Sequence, residues 1–326
     1  MRFDYSQGNL VEAFVRHRKS RSGWLDEIDN LVVWPDLMLL FDHVYASTEG
    51  GASYPIETSI KLLLLQQWYG LSDEGLEAAV DDRLSFRRFC GIPLDRPVPD
   101  HSSIWRFRQH LTEKDEAGLT LGERLLAAIN QQLDEKGLVL KRGTLIDASI
   151  VTSAARPPKG GEQGEVGEVS PVDPDAGFTK KNGKTFFGYK AHAGVDEGSG
   201  LIRQALMTTA SIHDSQAGDA LVQGDEGAVY ADKAYDDDER RARLKAAGIE
   251  ANILYKARRN KPLRPWQKAF NKVMSAIRAP VERPFAAMKG PFGFSRCRAF
   301  GLARNDAHLQ LFAGAYNLKT ALGLSA

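Results

Sequence analysis

The chain has 326 residues, 43% of them hydrophobic, enough for two domains or one large domain with an appended module. Its two cysteines, Cys90 and Cys297, exclude a disulfide framework and a cysteine-rich zinc cluster and fit a reducing, cytoplasmic compartment. The start, Met1-Arg-Phe-Asp-Tyr, holds no apolar signal core, and the longest apolar run, Leu62 to Leu65, excludes a membrane-spanning helix. The net charge of +1 hides an asymmetry. Residues 1–136 carry 15 Lys/Arg against 22 Asp/Glu, residues 137–250 carry 14 against 18, and residues 251–326 carry 14 against 2. A polyanion is the natural partner of that last segment.

Residues 9–136 read as mostly helical. Apolar residues recur at helical spacing over Pro35–Ser47 and Ile56–Tyr69. Ser72 caps the helix that follows it, with acids in its first turn, and Asp100 does the same before IWRFRQHL. A further helix runs from Leu119 to Leu133 and is closed by Gly137. Ser102–His110, with Trp105, Arg106 and Arg108, has the make-up of a recognition helix in a helix-turn-helix unit.

Near residue 138 the period changes to that of strands. Leu138–Val151 is β-branched, and Arg156–Lys181 is rich in Pro, Gly, Glu and Lys, which predicts a mobile surface loop. Thr185–Val195 and Leu201–Thr209 flank Gly198-Ser-Gly and predict a hairpin. A short helix over 214–222, a strand at Ala228–Ala231, a helix over 236–247 and a strand over 250–255 follow. From Pro265 the chain reads as helix interrupted by Pro280, Pro284 and Pro291. The order β-β-β-α-β-α-β-α behind a helical domain predicts an α/β fold with a mixed sheet. The predicted domains are residues 1–137, helical and suited to DNA binding and dimerisation, and residues 138–326, the α/β domain with its basic helical end.

Asp147, in TLIDASIV, and Asp232, ending VYAD, are carboxylates within or at the end of short apolar strands. An aspartate there either caps the next turn or is paired or metal-bound. Glu282 is the only acid between Ala251 and Asn305, among 13 Lys/Arg. Its helical-face neighbours Arg278 and Lys289 suit a salt bridge as well as a site. Together, two strand carboxylates and one helical carboxylate have the composition to hold two Mg²⁺ ions about 3.5–4 Å apart for in-line phosphoryl transfer.

On these residues the chain resembles bacterial insertion-sequence transposases of the DDE class, of the family-five insertion-sequence type. The likeness runs through YPIETSIKLLLLQQWYGLSDEGLEAAV, PDHSSIWRFRQHL, GTLIDASI, FFGYKAHAGVD, TTASIHD, VYADKAY and IRAPVERPFAAMKGPFGFSRCRAFGLARN. Arg278, Glu282 and Lys289 match a Tyr-Arg-Glu-Lys signature in spacing, with Ser275 in the Tyr position. The resemblance implies an RNase H-like core with its first Asp on the first strand, its second after the fourth and its Glu on a late helix. It also implies Asp147, Asp232 and Glu282 as ligands of Mg²⁺, with Mn²⁺ as a substitute. The implied partners are double-stranded DNA, as terminal inverted repeats and target, and a second copy of the chain on that DNA. A nuclease without strand transfer and an inactive DNA-binding remnant are the alternatives.

Supporting residues group around this core. Arg278, Lys289 and Lys233 are candidate phosphate contacts, as are Arg258, Arg259 and Arg264 in the basic stretch 256–268, where Trp266 offers stacking. Arg296, Arg298 and Arg304 extend that charge. His192, His213 and Tyr235 are candidates for supporting the carboxylates or touching substrate, and neither histidine has the spacing of a zinc site.

Overall fold

A computed structural model describes residues 23–45, 53–158, 169–259 and 261–325. The chain divides into two compact units, 1–136 with 310–326, and 137–309.

The first unit is helical because its apolar residues recur at helical spacing and its helix ends carry side-chain caps. Its helices are α1 (Gly23–Leu31), α2 (Trp34–Leu39), α3 (Ile56–Tyr69), α4 (Asp73–Asp82), α5 (Leu84–Cys90), α6 (His101–His110) and α7 (Leu121–Glu135). Ser72 and Asp100 each accept a backbone N–H as N-caps, and Thr120 forms a capping box with Glu123 that the sequence reading missed. The helix expected over Pro35–Ser47 is shorter: α2 ends at Leu39 and a 3₁₀ turn spans Asp42–Tyr45. Helix α3 is buried on every face from Ile56 to Trp68 except at Glu57, its polar residues included, so it forms the centre of the unit. Lys61 within it is held by Glu57 at 2.7 Å and lies over the Trp34 ring. The Trp68 indole N–H donates to Ala315 O at 2.8 Å. Residues 310–326, which the sequence reading assigned to the α/β domain, therefore belong to the helical unit. That correction rests on a contact 247 residues apart in sequence, which no local pattern carries.

The second unit is built on a six-stranded mixed sheet. Its strands are β1 (Thr144–Thr152), β2 (Gly177–Lys181), β3 (Lys184–Asp196), β4 (Ile202–Thr209), β5 (Ala228–Ala231) and β6 (Glu250–Ile253). Their order is β2-β3-β1-β5-β6, and β4 also pairs with β3. The hairpin β3–β4 is as expected, antiparallel through Tyr189↔Thr209 to Val195↔Ile202. Strands β1, β5 and β6 run parallel, and between them run the one-turn helix α8 (Asp214–Ala217), a 3₁₀ turn at Asp219–Leu221 and helix α9 (Asp238–Ala246). Ile146, Leu221, Val229, Ala231, Tyr235, Leu244, Ile249 and Ile253 fill the core on this side.

Strand β2 corrects the loop expected over 156–181. Its sequence GFTKK shows no apolar alternation because it is a polar edge strand. Just before it Asp173 is fully buried, accepting from Ser153 Oγ and the Tyr189 hydroxyl. Residues 159–168 of that expected loop, and residues 9–22 and 46–52 of the expected helical region, the end of the Pro35–Ser47 helix among them, lie outside the described residues. The first strand begins at Thr144 rather than Leu138, because Lys141 takes a left-handed φ of 54° while Asp196 accepts the N–H groups of Leu140 and Lys141.

Three helices close the chain: α10 (Pro265–Arg278), α11 (Glu282–Lys289) and α12 (Leu302–Ser325). A 3₁₀ turn at Ala279–Val281 separates the first two, so Pro280 sits in the break and Glu282 begins a new helix, as its spacing requires. Pro284 does not interrupt α11. It lies in the first turn, where proline's missing N–H costs nothing.

Candidate active site

Register places the first two carboxylates. In the parallel pair β1–β5, Ile146 faces Ala231, so the next residues, Asp147 and Asp232, stand side by side on adjacent chains. Asp232 follows the fifth strand, not the fourth, since β2 adds one to the count. Its Oδ1 accepts the Ala234 N–H at 2.8 Å and caps a 3₁₀ turn over Lys233–Tyr235. The bland reading of a strand-end cap is thus realised without removing the second carboxylate oxygen from use.

Asp147 is partly buried, and burial pushes its carboxyl above the usual carboxylate range. Arg278 pulls against that rise, with Nη1 3.1 Å from Asp147 Oδ2, while the negative charge of Glu282 adds to it. Glu282 therefore stands within electrostatic reach of Asp147, although it is an exposed residue on another element. The buried Val281 in the 3₁₀ turn anchors that approach. Lys289, at the other end of the same helix α11, feels the charges of Glu282 and of Lys181 on β2. Burial and Lys181 lower its pKa. Lys181, which the sequence reading did not single out, joins the basic rim through β2.

Tyr235 is 1% exposed, with no hydrogen-bond partner for its hydroxyl among the described residues. Burial, then Asp214, Asp147 and Asp232, raise its pKa, so the ring reports four acidic or phenolic groups gathered in one region. Asp214 begins α8. It is salt-bridged at 2.8 Å to Lys190, whose Nζ also donates to Ile212 O. His192 is fully buried on β3, with Nε2 2.9 Å from the Thr208 hydroxyl, and burial pulls its pKa to about 4. It is a neutral imidazole within the sheet. His213 is exposed and caps α8 through Nδ1, which accepts the Ser215 N–H. Its position is accounted for by that cap.

The expected DNA contacts differ in exposure and in the partners that hold them. Lys233, Arg259 and Arg264 are exposed. Arg258 is exposed and touches Asp238 at 3.2 Å. Arg258, Lys261, Arg264, Trp266 and Tyr255 line an open cavity of about 470 Å³, where Trp266 is 53% exposed and stands edge-on to Tyr255. Arg298 is exposed, as is Arg106, which leans on Ser102 and Ser103 of its own helix. Arg108 is paired with Asp73 through both its terminal nitrogens. Arg296 donates to Ser153 O and Ala154 O and fastens its segment to the end of β1. These last two are structural ties.

The donor set fits a hard divalent cation, since it is made of carboxylate oxygens beside backbone and basic groups. Among the described residues, no three His, Cys, Asp or Glu side chains converge into a ready-made metal centre. Asp147 and Asp232 nonetheless stand side by side, and the charge of Glu282 acts on Asp147.

A mixed sheet with two adjacent strand carboxylates and a late helix carrying a third is the arrangement of an RNase H-like fold, the fold of the DDE transposase domain. Comparison with known proteins narrows the class. Residues 140–318 match the family described as Transposase DDE domain, and residues 12–110 match that described as Transposase domain (DUF772). The first match spans more than half of the chain, which belongs to the DDE transposase family. It is accordingly an insertion-sequence transposase, a metal-dependent enzyme that cuts and transfers DNA. No solved structure matches the chain. No described helix is long and apolar enough to cross a membrane.

Proposed function

We propose that this transposase binds the terminal inverted repeats of its element, hydrolyses the phosphodiester at each end and joins the freed 3′-hydroxyl to target DNA. Asp147, Asp232 and Glu282 are the metal ligands in this reading. The register of β1 against β5 carries it, because two carboxylates lie side by side just past the last paired residues, Ile146 and Ala231. Mg²⁺, with Mn²⁺ as a substitute, supplies Lewis-acid activation of the attacking and leaving oxygens when bound.

The chain's own residues do the rest. Asp147 and Asp232 hold fixed positions because both belong to or adjoin sheet strands. Glu282 begins α11, and its charge reaches Asp147. Tyr235 keeps its proton and offers a hydroxyl donor next to both aspartates. Lys233, Lys289 and Arg278 place positive charge where phosphates would lie, and the exposed residues Arg258, Arg259, Arg264, Arg298 and Trp266 extend a track for flanking DNA. Arg106 on α6 is the remaining candidate contact of the helical unit. Two ends must meet, so the working form is a homodimer on DNA, in the cytoplasm where the DNA lies.

Asp147→Asn is expected to lower cleavage of a labelled element end by more than about a thousandfold while end binding persists. Cleavage at the wild-type rate would remove the metal-site assignment. Strand joining in the same assay distinguishes a transposase from a simple nuclease, and a wild type that binds ends but neither cuts nor joins would mark an inactive remnant.

A further inference from the structure

Arg278 ends α10, immediately before the 3₁₀ turn Ala279–Val281 that starts α11. Its Nη1 lies 3.1 Å from Asp147 Oδ2, with both side chains less than one-fifth exposed. The contact is an ion pair, and Nη1 and Nε of Arg278 are buried with no well-aligned hydrogen-bond partner among the described residues. A guanidinium presents five donors in a rigid fork suited to two oxygens of one anion. Here the fork is only partly used, and the anion it faces is the carboxylate proposed as a metal ligand.

We infer that Arg278 is a counter-ion latch: it neutralises Asp147 in the DNA-free protein and swings to a DNA phosphate when DNA binds, so that cation loading is coupled to DNA binding. The inference rests on the reading of Asp147 as a metal ligand. A positive guanidinium and a divalent cation compete for the same carboxylate oxygen, and each disfavours the other. A phosphodiester offers the fork the two-oxygen partner that Asp147 does not supply. The position of Arg278 at a helix end beside a 3₁₀ turn gives the side chain a joint about which to move. The gain for the enzyme is order: the site takes up its cation when substrate is present.

Mn²⁺ is the probe, added to the full-length DNA-free chain and read through the paramagnetic resonance of the free ion. Arg278→Gln is expected to bind Mn²⁺ about tenfold more tightly than wild type, within the usual range of coupling between sites, and Arg278→Lys to stay close to wild type. Equal or weaker binding by a folded Arg278→Gln overturns the latch. A short DNA duplex is expected to raise the affinity of wild type for Mn²⁺ by a larger factor than that of Arg278→Gln; equal factors overturn it as well. Should the variant fail to fold, wild type alone decides. The Arg278 Nε–H resonance should move on addition of Mg²⁺, and a resonance unmoved at saturation overturns the proposal. Asp147→Asn separates the two readings. If it leaves Mn²⁺ binding unchanged, Asp147 is no ligand and the latch falls with it. If it abolishes binding while Arg278→Gln gains nothing, only the latch is lost.

Discussion

At the scale of single residues, the site is a contest between burial and charge. Asp147 is raised by burial more than Arg278 lowers it, a sign of a carboxylate placed for chemistry rather than for stability. His192 shows the same force acting on a cation. Its folded pKa of about 4 lies below the ordinary value of 6.5, so as the pH falls the unfolded chain takes up a proton first. His192 therefore withdraws stability between about pH 6.5 and pH 4, up to about 3 kcal/mol. We expect His192→Gln to flatten this part of the stability profile, measured by denaturant unfolding at pH 7 and pH 4.5. Identical pH slopes for the two proteins would assign the loss to other groups. Asp147 and Asp232 were legible in the sequence because a carboxylate in an apolar strand is chemically unusual. Asp214 and Lys181 were not, because an acid before a helix and a lysine in a polar stretch have ordinary local explanations.

At the scale of elements, the site depends on how β3 changes partners. Its first residues pair with β2, from Tyr189 it pairs with β4, and β1 pairs with it from Gly188 to Asp196. Gly188 stands at that change with φ 152°, and a Cβ there would overlap Val151 O and Ser153 N. Gly188→Ala is expected to cost about 3 kcal/mol or more, since neither the backbone of β1 nor that of β3 can give way locally. Thermal unfolding checks this, and a melting temperature equal to that of wild type would mean the strands separate there freely. The sequence reading found the hairpin and the break at Pro280 from turn and proline chemistry, which are local. It missed β2, since a charged edge strand earns its structure only from the neighbour it pairs with.

At the scale of the whole molecule, charge is the organising quantity. The last 76 residues are strongly basic in a chain of net charge +1, and the described cations Arg258, Lys261 and Arg264 border one cavity. Neutralising phosphates releases counterions, so DNA binding should weaken steeply with salt. Reversing Arg258 and Arg259 to Glu is expected to reduce the slope of log affinity against log salt by about 2, near one unit per lost phosphate contact. A slope that does not change would place the DNA on another surface.

The sequence by itself determined the fold class, the caps at Ser72 and Asp100 and the main strands, and it marked three candidate carboxylates, because these depend on periodicity, on turn chemistry and on the rarity of acids in apolar or basic surroundings. Only the tertiary structure decided which residues meet. The β1–β5 register set Asp147 beside Asp232, the 3₁₀ turn at Ala279–Val281 brought Glu282 and Arg278 to them, and the end of α12 joined the helical unit. Each of these joins residues far apart along the chain, where no local preference acts and only packing and strand pairing choose the partner.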